Sequence, residues 1–228
     1  MNKPFITCYM MTSADGRIDC AMTAKLPGVE DYYTLLKELN FDAAVSGRVT
    51  AELEMAEPGK FELKNAAPVG KEAVYKAEGT KPEYDVVVDT KGTLLWKDGA
   101  AYSNPLIILT SEQAGKEYQD YLKEKGISYI AIGKDHIDLA RAADVLKETF
   151  GVEHLGIVGG AAIDTAFLDA GLLDEVILLI GAGIDGRADY PPVFNRKSND
   201  VPLKPLKLME AKVYPSQAVM LRYQVQNS

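Results

Sequence analysis

Residues 155–181 read LGIVGGAAIDTAFLDAGLLDEVILLIG, an apolar strand that runs into Gly159-Gly160 and straight on into an amphipathic helix and a second apolar strand. Adjacent glycines at a strand-to-helix junction let a phosphate approach the backbone, and the helix that follows offers it free N–H groups and a positive dipole end. Such pairs also arise where a helix packs tightly on a strand, and the residues alone leave both readings open. The spacing is not the G-x-G-x-x-G of a dinucleotide turn and no P-loop is present, so the commonest nucleotide folds are not supported.

The same alternation extends along the chain. Strand-like runs rich in Val, Ile, Leu and Tyr occur at 5–11, 43–46, 84–88, 106–110, 128–132, 155–158 and 175–180. Most are continuous rather than alternating, as in a sheet covered on both faces. Between them lie helical faces: Tyr32, Leu35, Leu36 and Leu39; Leu139, Ala142, Ala143 and Leu146; Ile163, Ala166, Phe167 and Ala170. Ser111 and Asp138 stand where N-caps are expected, and Gly126, Gly151 and Gly171 where a left-handed residue ends a helix. The pattern predicts an α/β fold with a mainly parallel sheet and helices on both sides. It closes with an antiparallel hairpin, 206–214 and 218–225 about Pro215-Ser216-Gln217. Residues 56–82 mix Pro, Gly and charge with little periodicity, and read as an excursion within one domain spanning 1–228: a surface insertion, or else a lid or dimer arm.

With 25 Lys and Arg against 33 Asp and Glu, the net charge of −8 argues against nucleic acid or an anionic membrane as a general partner, so an anionic small molecule needs a local pocket. Cys8 and Cys20 have no C-x-x-C spacing and no histidine near them in a zinc-like pattern, which points to a reduced, cytoplasmic protein without a metal. The amino terminus reads as a strand, not as a signal sequence, and no stretch approaches the roughly 20 apolar residues of a membrane span.

An ordered set of features covers nearly the whole chain: the first strand and its Thr12-Ser13-Ala14-Asp15-Gly16-Arg17-Ile18-Asp19 loop, a helix, the segment Asp42-Ala43-Ala44-Val45-Ser46-Gly47-Arg48-Val49-Thr50, the glycine pair, and Leu173-Asp174-Glu175. It resembles the reductase domain of riboflavin biosynthesis, the pyrimidine reductases that share the dihydrofolate reductase fold, a three-layer sandwich. The deaminase-like domain that many members carry upstream is absent, with no H-x-E or P-C-x-x-C signature, so the resemblance implies a stand-alone reductase. It further implies hydride transfer from NADPH to a phosphoribosylamino-pyrimidine, and a homodimer. Because the cofactor carries the hard chemistry, the protein mainly orients two ligands and excludes water.

The resemblance also assigns residues. The turn Gly47-Arg48-Val49-Thr50 meets cofactor phosphate, with Thr50 offering its hydroxyl or else capping its helix. Val158, Gly159, Gly160 and Ala161 hold the pyrophosphate or the nicotinamide side. Ser111 lies where this fold meets the adenosine 2′-phosphate, with capping as its other reading. Ser13, Asp15 and Gly16 border substrate and nicotinamide. Asp15 is the candidate catalytic acid, although an exposed Asp with a pKa of about 3.9 is a poor donor at neutral pH, and positioning substrate hydroxyls is its alternative.

Two positions depart from the family pattern. Val158 stands directly before the glycines where a Glu is usual. After Thr50 the expected Asp is matched by Glu54, a substrate-binding candidate, but no Arg follows for a substrate phosphate. These departures keep open a different pterin-like or carbonyl substrate, or a ligand-binding member without turnover. Gly181-Ala182-Gly183-Ile184-Asp185-Gly186 does fit G-x-G-x-x-G, but Pro191-Pro192 follow where a helix must start, so it reads as a loop. The apolar strand at 176–180 is buried either in the sheet or at a dimer interface. His136 and His154 read as surface residues, Trp96 and the tyrosines of 118–121 as packing, and Asp174-Glu175 as structural polarity.

Overall fold

The computed structural model describes residues 2–64, 67–197 and 202–226. In chain order the elements are β1 (Phe5–Thr12), α1 (Cys20–Thr23), α2 (Val29–Leu39), β2 (Ala43–Gly47), α3 (Arg48–Glu54), β3 (Ala73–Tyr75), β4 (Tyr84–Val88), β5 (Leu106–Thr110), α4 (Lys116–Glu124), β6 (Ser128–Ala131), α5 (Leu139–Phe150), β7 (His154–Ile157), α6 (Ala161–Asp169), β8 (Glu175–Ile180), β9 (Leu206–Val213) and β10 (Val219–Val225). They form two compact units; the chain passes between them after Pro4, after Phe41 and inside β7 after Leu155.

The first unit holds residues up to Pro4 and Asp42–Leu155. Its strands β2, β4, β5 and β6 run parallel, in register from Ala43 opposite Tyr84 through Thr110 opposite Ala131. Every residue of β5 is buried, which is why LIILT shows no alternation. α4 turns Tyr118 and Leu122 into a core with Val87, Trp96, Ile108 and Ile127. Within it the Trp96 indole N–H donates to the Tyr118 hydroxyl at 3.0 Å, which donates to Asp89 at 3.2 Å, so the polar atoms of this apolar cluster are paired. The 56–82 segment is tied down more firmly than its composition suggests. Tyr75 of β3 pairs antiparallel with Tyr129 of β6, and Phe61 and Leu63 pack on the α4 core. Asp138 caps α5 by accepting from Arg141 N–H at 3.0 Å, and Gly151 ends it at φ 75°. Ser111 caps nothing: α4 begins only at Lys116, behind Gly115.

The second unit holds Phe5–Phe41 and Gly156–Ser228. β1 and β8 are parallel, from Thr7 opposite Glu175 to Thr12 opposite Ile180. β10 runs antiparallel to β8, and β9 antiparallel to β10, with a bulge between Arg222 and Tyr223. α2 covers one face, where Tyr32 stacks on Tyr9 at 4.7 Å and Leu35, Leu36 and Leu39 meet Ile177, Leu179 and Met220. Cys8, next to Tyr9 and so on the opposite face, comes under the influence of Asp164 of α6. The buried stripe of α6 is Ala161, Asp164, Phe167 and Leu168; Ala170, expected on it, is exposed. An acid has taken a place that hydrophobic periodicity could not assign to it. Gly156 is a packing glycine, because a Cβ there would fall 2.4 Å from the Phe41 ring. Asp174 accepts from Ile6 N–H at 2.8 Å, and Glu175 accepts from Thr7 and Arg222, so this pair is structural as expected.

The mainly parallel sheet, the flanking helices and the closing antiparallel hairpin are those of the expected α/β class. No helix among the described residues is long and apolar enough to cross a membrane.

Candidate active site

The expected site residues fall in both units, and each group is built by its own local chain. In the second unit β7 ends before Val158, and the backbone turns through Gly159 at φ 148° and Gly160 at φ 103°, ψ 150°. L-residues avoid that region, so glycine is required there by conformation. A Cβ added at either position would meet nothing within 4 Å. Close side-chain packing is therefore not what these glycines serve; Gly156, under the Phe41 ring, is the one that does. Gly159 is buried and Gly160 half-buried, with room on the side where a Cβ would stand, and the pair leads directly into α6, where the Gly160 carbonyl accepts from Ile163 and Asp164 N–H at 2.8 and 3.1 Å and the amides ahead of Ile163 precede the helical ladder. No side chain caps this end of the helix. Val158 is half-buried and packs on the Tyr9 and Ile177 cluster, so it acts as an apolar support behind the turn.

The loop after β1 is locked. The Ser13 hydroxyl, almost fully buried, donates to Asp15 at 2.7 Å and accepts from Arg17 N–H at 3.0 Å, while Gly16 supplies φ 84°. Asp15 accepts from Asp185 N–H and Gly186 N–H, each at 2.9 Å, and Ala14 N–H donates to the Gly183 carbonyl at 2.7 Å. The G-x-G-x-x-G segment is thus a loop whose role is to clasp the β1 loop. Arg187 extends the clasp, pairing with Asp185 and with Asp19 at 2.7 Å and lying 3.7 Å over the Tyr190 ring. The Asp185 and Gly186 amides and the Ser13 hydroxyl hold the Asp15 carboxyl well below the usual carboxylate range. That corrects the proton-donor role expected for Asp15: a group held ionised by three donors has no proton to give at neutral pH. Its oxygens retain acceptor capacity for a substrate hydroxyl.

In the first unit Gly47 is the residue before α3, with extended backbone, and Thr50 lies inside the first turn, so Thr50 is not the cap. Arg48 bonds to Glu52 at 2.8 Å, one turn along; both side chains are about 44% and 43% exposed, and a pair of this kind contributes only about 0.3–0.5 kcal/mol, too little to withhold Arg48 from a phosphate. Glu54 ends α3 and is exposed. Ser111 has no exposed surface; its hydroxyl donates to the Thr90 carbonyl at 2.9 Å and accepts from Gln113 N–H. Its hydroxyl therefore holds the turn after β4. The cation which that turn presents is Lys91, exposed between Asp89 and Gly92 and missed in the sequence because nothing marks a single lysine in a loop. Asp89 fixes the turn by accepting from Thr93 and Leu94 N–H at 2.6 and 2.8 Å.

Among the described residues no cluster of three or more His, Cys, Asp or Glu is placed to hold a metal ion, and neither cysteine forms a disulfide. A groove of about 260 Å³ between α2 and the β9–β10 hairpin, floored by Leu35, Leu39, Ile177 and Met220, contains neither the glycine pair nor the clasped loops.

Residues 4–220 match the RibD C-terminal domain. A 2,5-diamino-6-ribosylamino-4(3H)-pyrimidinone 5′-phosphate reductase of Aquifex aeolicus is 33% identical over 87 residues, 38% of this chain and 38% of that protein. Among solved structures, a pyrimidine reductase-like protein of Corynebacterium diphtheriae superposes with a TM-score of 0.72 at 19% identity, covering 100% of this chain and 94% of that one. The riboflavin biosynthesis reductase Rib7 of Saccharomyces cerevisiae gives 0.64 at 19%, covering 99% and 91%. RibD of Acinetobacter baumannii gives 0.71 at 19%, covering 99% of this chain but 59% of that one. At these identities the structural likeness is one of fold.

Proposed function

The chain belongs to the RibD C-terminal domain family, and from that premise we propose that it is an NADPH-dependent reductase of a 5-amino-6-(5-phosphoribosylamino)pyrimidine-type substrate in riboflavin biosynthesis. The observation that carries this reading is the Gly159-Gly160 turn: two glycines at positive φ, with room where a Cβ would stand, leading into a helix that no side chain caps. Nothing in the fold requires that combination, whereas an anionic cofactor lying against the backbone does. NADPH, when bound, supplies the hydride, which goes to the ribosylamine carbon of the ring-opened imine while a proton reaches its nitrogen.

The chain's own residues bind and orient. In the second unit Gly159, Gly160 and Ala161 present amides to phosphate, and Ser13, Asp15 and Gly16 form a rigid rim whose ionised Asp15 accepts from substrate hydroxyls. In the first unit Arg48 and Thr50 suit a phosphate, and Lys91 suits the 2′-phosphate that separates NADPH from NADH. The aqueous-exposed Glu54 and the apolar setting of Val158 favour a second reading, a reductase of another pterin-like or carbonyl compound, because they leave the ribose phosphate without a family-type grip.

The enzyme works as a homodimer in this proposal. β9 is exposed along its whole length, with Leu208, Met209 and Val213 at 54%, 55% and 71%, and an apolar edge strand of that kind is a template for a second copy.

Thermal unfolding with each coenzyme tests the cofactor, since binding to the folded state alone raises Tm. NADPH should raise it more than NADH, and no shift with either refutes the reading. Consumption of NADPH with the phosphoribosylamino-pyrimidine separates the two substrate readings, and light scattering at micromolar protein tests the dimer.

A further inference from the structure

Asp164 lies in the first turn of α6, and its N–H donates to the Gly160 carbonyl at 3.1 Å. It has no exposed surface, and neither carboxylate oxygen meets a hydrogen-bond donor. The titratable groups that bear on it are the buried Cys8 thiol of β1 and the Tyr32 hydroxyl of α2, both acids. An ionised carboxylate without a donor or a cation is the most unfavourable occupant of such a position, and burial pushes this one up to about 8. Asp164 is therefore a neutral acid at physiological pH, one helical turn from the glycine pair.

We infer that Asp164 is a positioning residue for the cofactor's phosphate: while it remains uncharged, the positive amino end of α6 is free to attract an anion, and its ionisation cancels that end. The inference rests on the reading of Gly159-Gly160 as the phosphate turn. A helix amino end carries roughly half a positive charge. A full negative charge about 5.4 Å away more than offsets it, and at an effective dielectric of about 20 weakens an anion by on the order of tenfold to hundredfold. By reciprocity the bound anion holds the proton on Asp164, so binding at alkaline pH takes up protons.

The test is NADPH affinity measured by fluorescence titration from pH 7 to 9.5 in the wild type and in Asp164→Asn, which stays neutral throughout. Wild-type affinity should fall by roughly 7- to 20-fold across this range, the variant's should stay level, and calorimetry of the wild type at pH 8.5 in two buffers of different ionisation enthalpy should show proton uptake. Equal pH dependence in the two proteins, or no proton uptake, overturns the inference while leaving the cofactor reading in place. Absence of NADPH binding at every pH overturns both. Should the variant fail to fold, the proton uptake of the wild type decides alone.

Discussion

Replacing Gly160 by alanine separates what the backbone requires from what a ligand requires. At φ 103° and ψ 150° the residue occupies a region that is essentially glycine-only, where an L-residue costs about 1–3 kcal/mol. Since the new methyl group would meet nothing within 4 Å, no packing energy is gained or lost, and the strain is the whole effect on stability. For a chain of this size each kcal/mol lowers Tm by roughly 2–4 °C, so the variant should melt about 2–12 °C lower and still fold. Its methyl group would occupy the space through which a phosphate approaches the turn, removing one charge-assisted hydrogen bond of about 1.5–3 kcal/mol, which is about 10- to 100-fold in NADPH affinity. Gly171→Ala is the matched control, for it has φ 68°, open space around it and no place in the site. Thermal unfolding and fluorescence titration on both variants give the answer. A Gly160→Ala protein that is destabilised as calculated yet binds NADPH like the wild type would falsify the assignment of this turn to the cofactor.

Asp164→Asn should also alter stability against pH. The folded-state pKa of about 8 lies above the model-peptide value of about 3.9, so the folded protein binds the proton more tightly. Stability is then greatest below the unfolded value, falls by about 1.4 kcal/mol per pH unit through the interval, and is level above the folded value. By pH 7 the loss is about 4 kcal/mol, and urea melts of the Asn variant between pH 5 and 8 should lack this slope. For Asp15→Asn, hydrogen exchange should show the Asp185 and Gly186 amides losing protection while β1 and β8 keep theirs; unchanged protection would mean that the clasp does not depend on the carboxylate. In the wild type the depressed carboxyl keeps that protection above the unfolded value and releases it only as the pH falls well below. Lys91→Ala should weaken NADPH roughly tenfold and NADH hardly at all, as loss of one exposed charge-assisted contact predicts. An equal effect on both coenzymes would remove Lys91 from the 2′-phosphate.

The strands were legible because buried parallel strands are unbroken apolar runs: β1, β4, β5 and β8 lie within a residue of where Phe5, Tyr84, Leu106 and Glu175 start them. β7 was read one residue late, since His154 looks polar although it already belongs to the strand. β3 was not read at all. Three residues supply no period, and the strand exists because β6 is there to pair with it. Among candidate site residues, a glycine pair at the end of a strand was visible in the sequence, but that no neighbour packs where a Cβ would stand needed the structure. Ser111 shows the converse. A serine after a strand reads equally as cap, ligand or turn, and only the Thr90 carbonyl 2.9 Å away decides.

Asp164 and the glycine pair make one argument. Helical periodicity assigned the buried face of α6 to Ile163, Ala166, Phe167 and Ala170, because that method places apolar residues inward by definition. Inward placement of an acid instead of Ala170 sacrifices stability that an alanine or leucine would retain. The adjacent turn sacrifices more, through two backbone conformations that only glycine enters. Local departures from what folding alone favours, gathered within six consecutive residues, are what a binding site requires and a scaffold does not. The structural pairs elsewhere behave oppositely: Asp89, Asp138, Asp174 and Glu175 each meet their donors. A carboxyl group that meets none, one helical turn from the glycine pair, stands apart from all of these, and Asp164→Asn tests whether that difference belongs to anion binding.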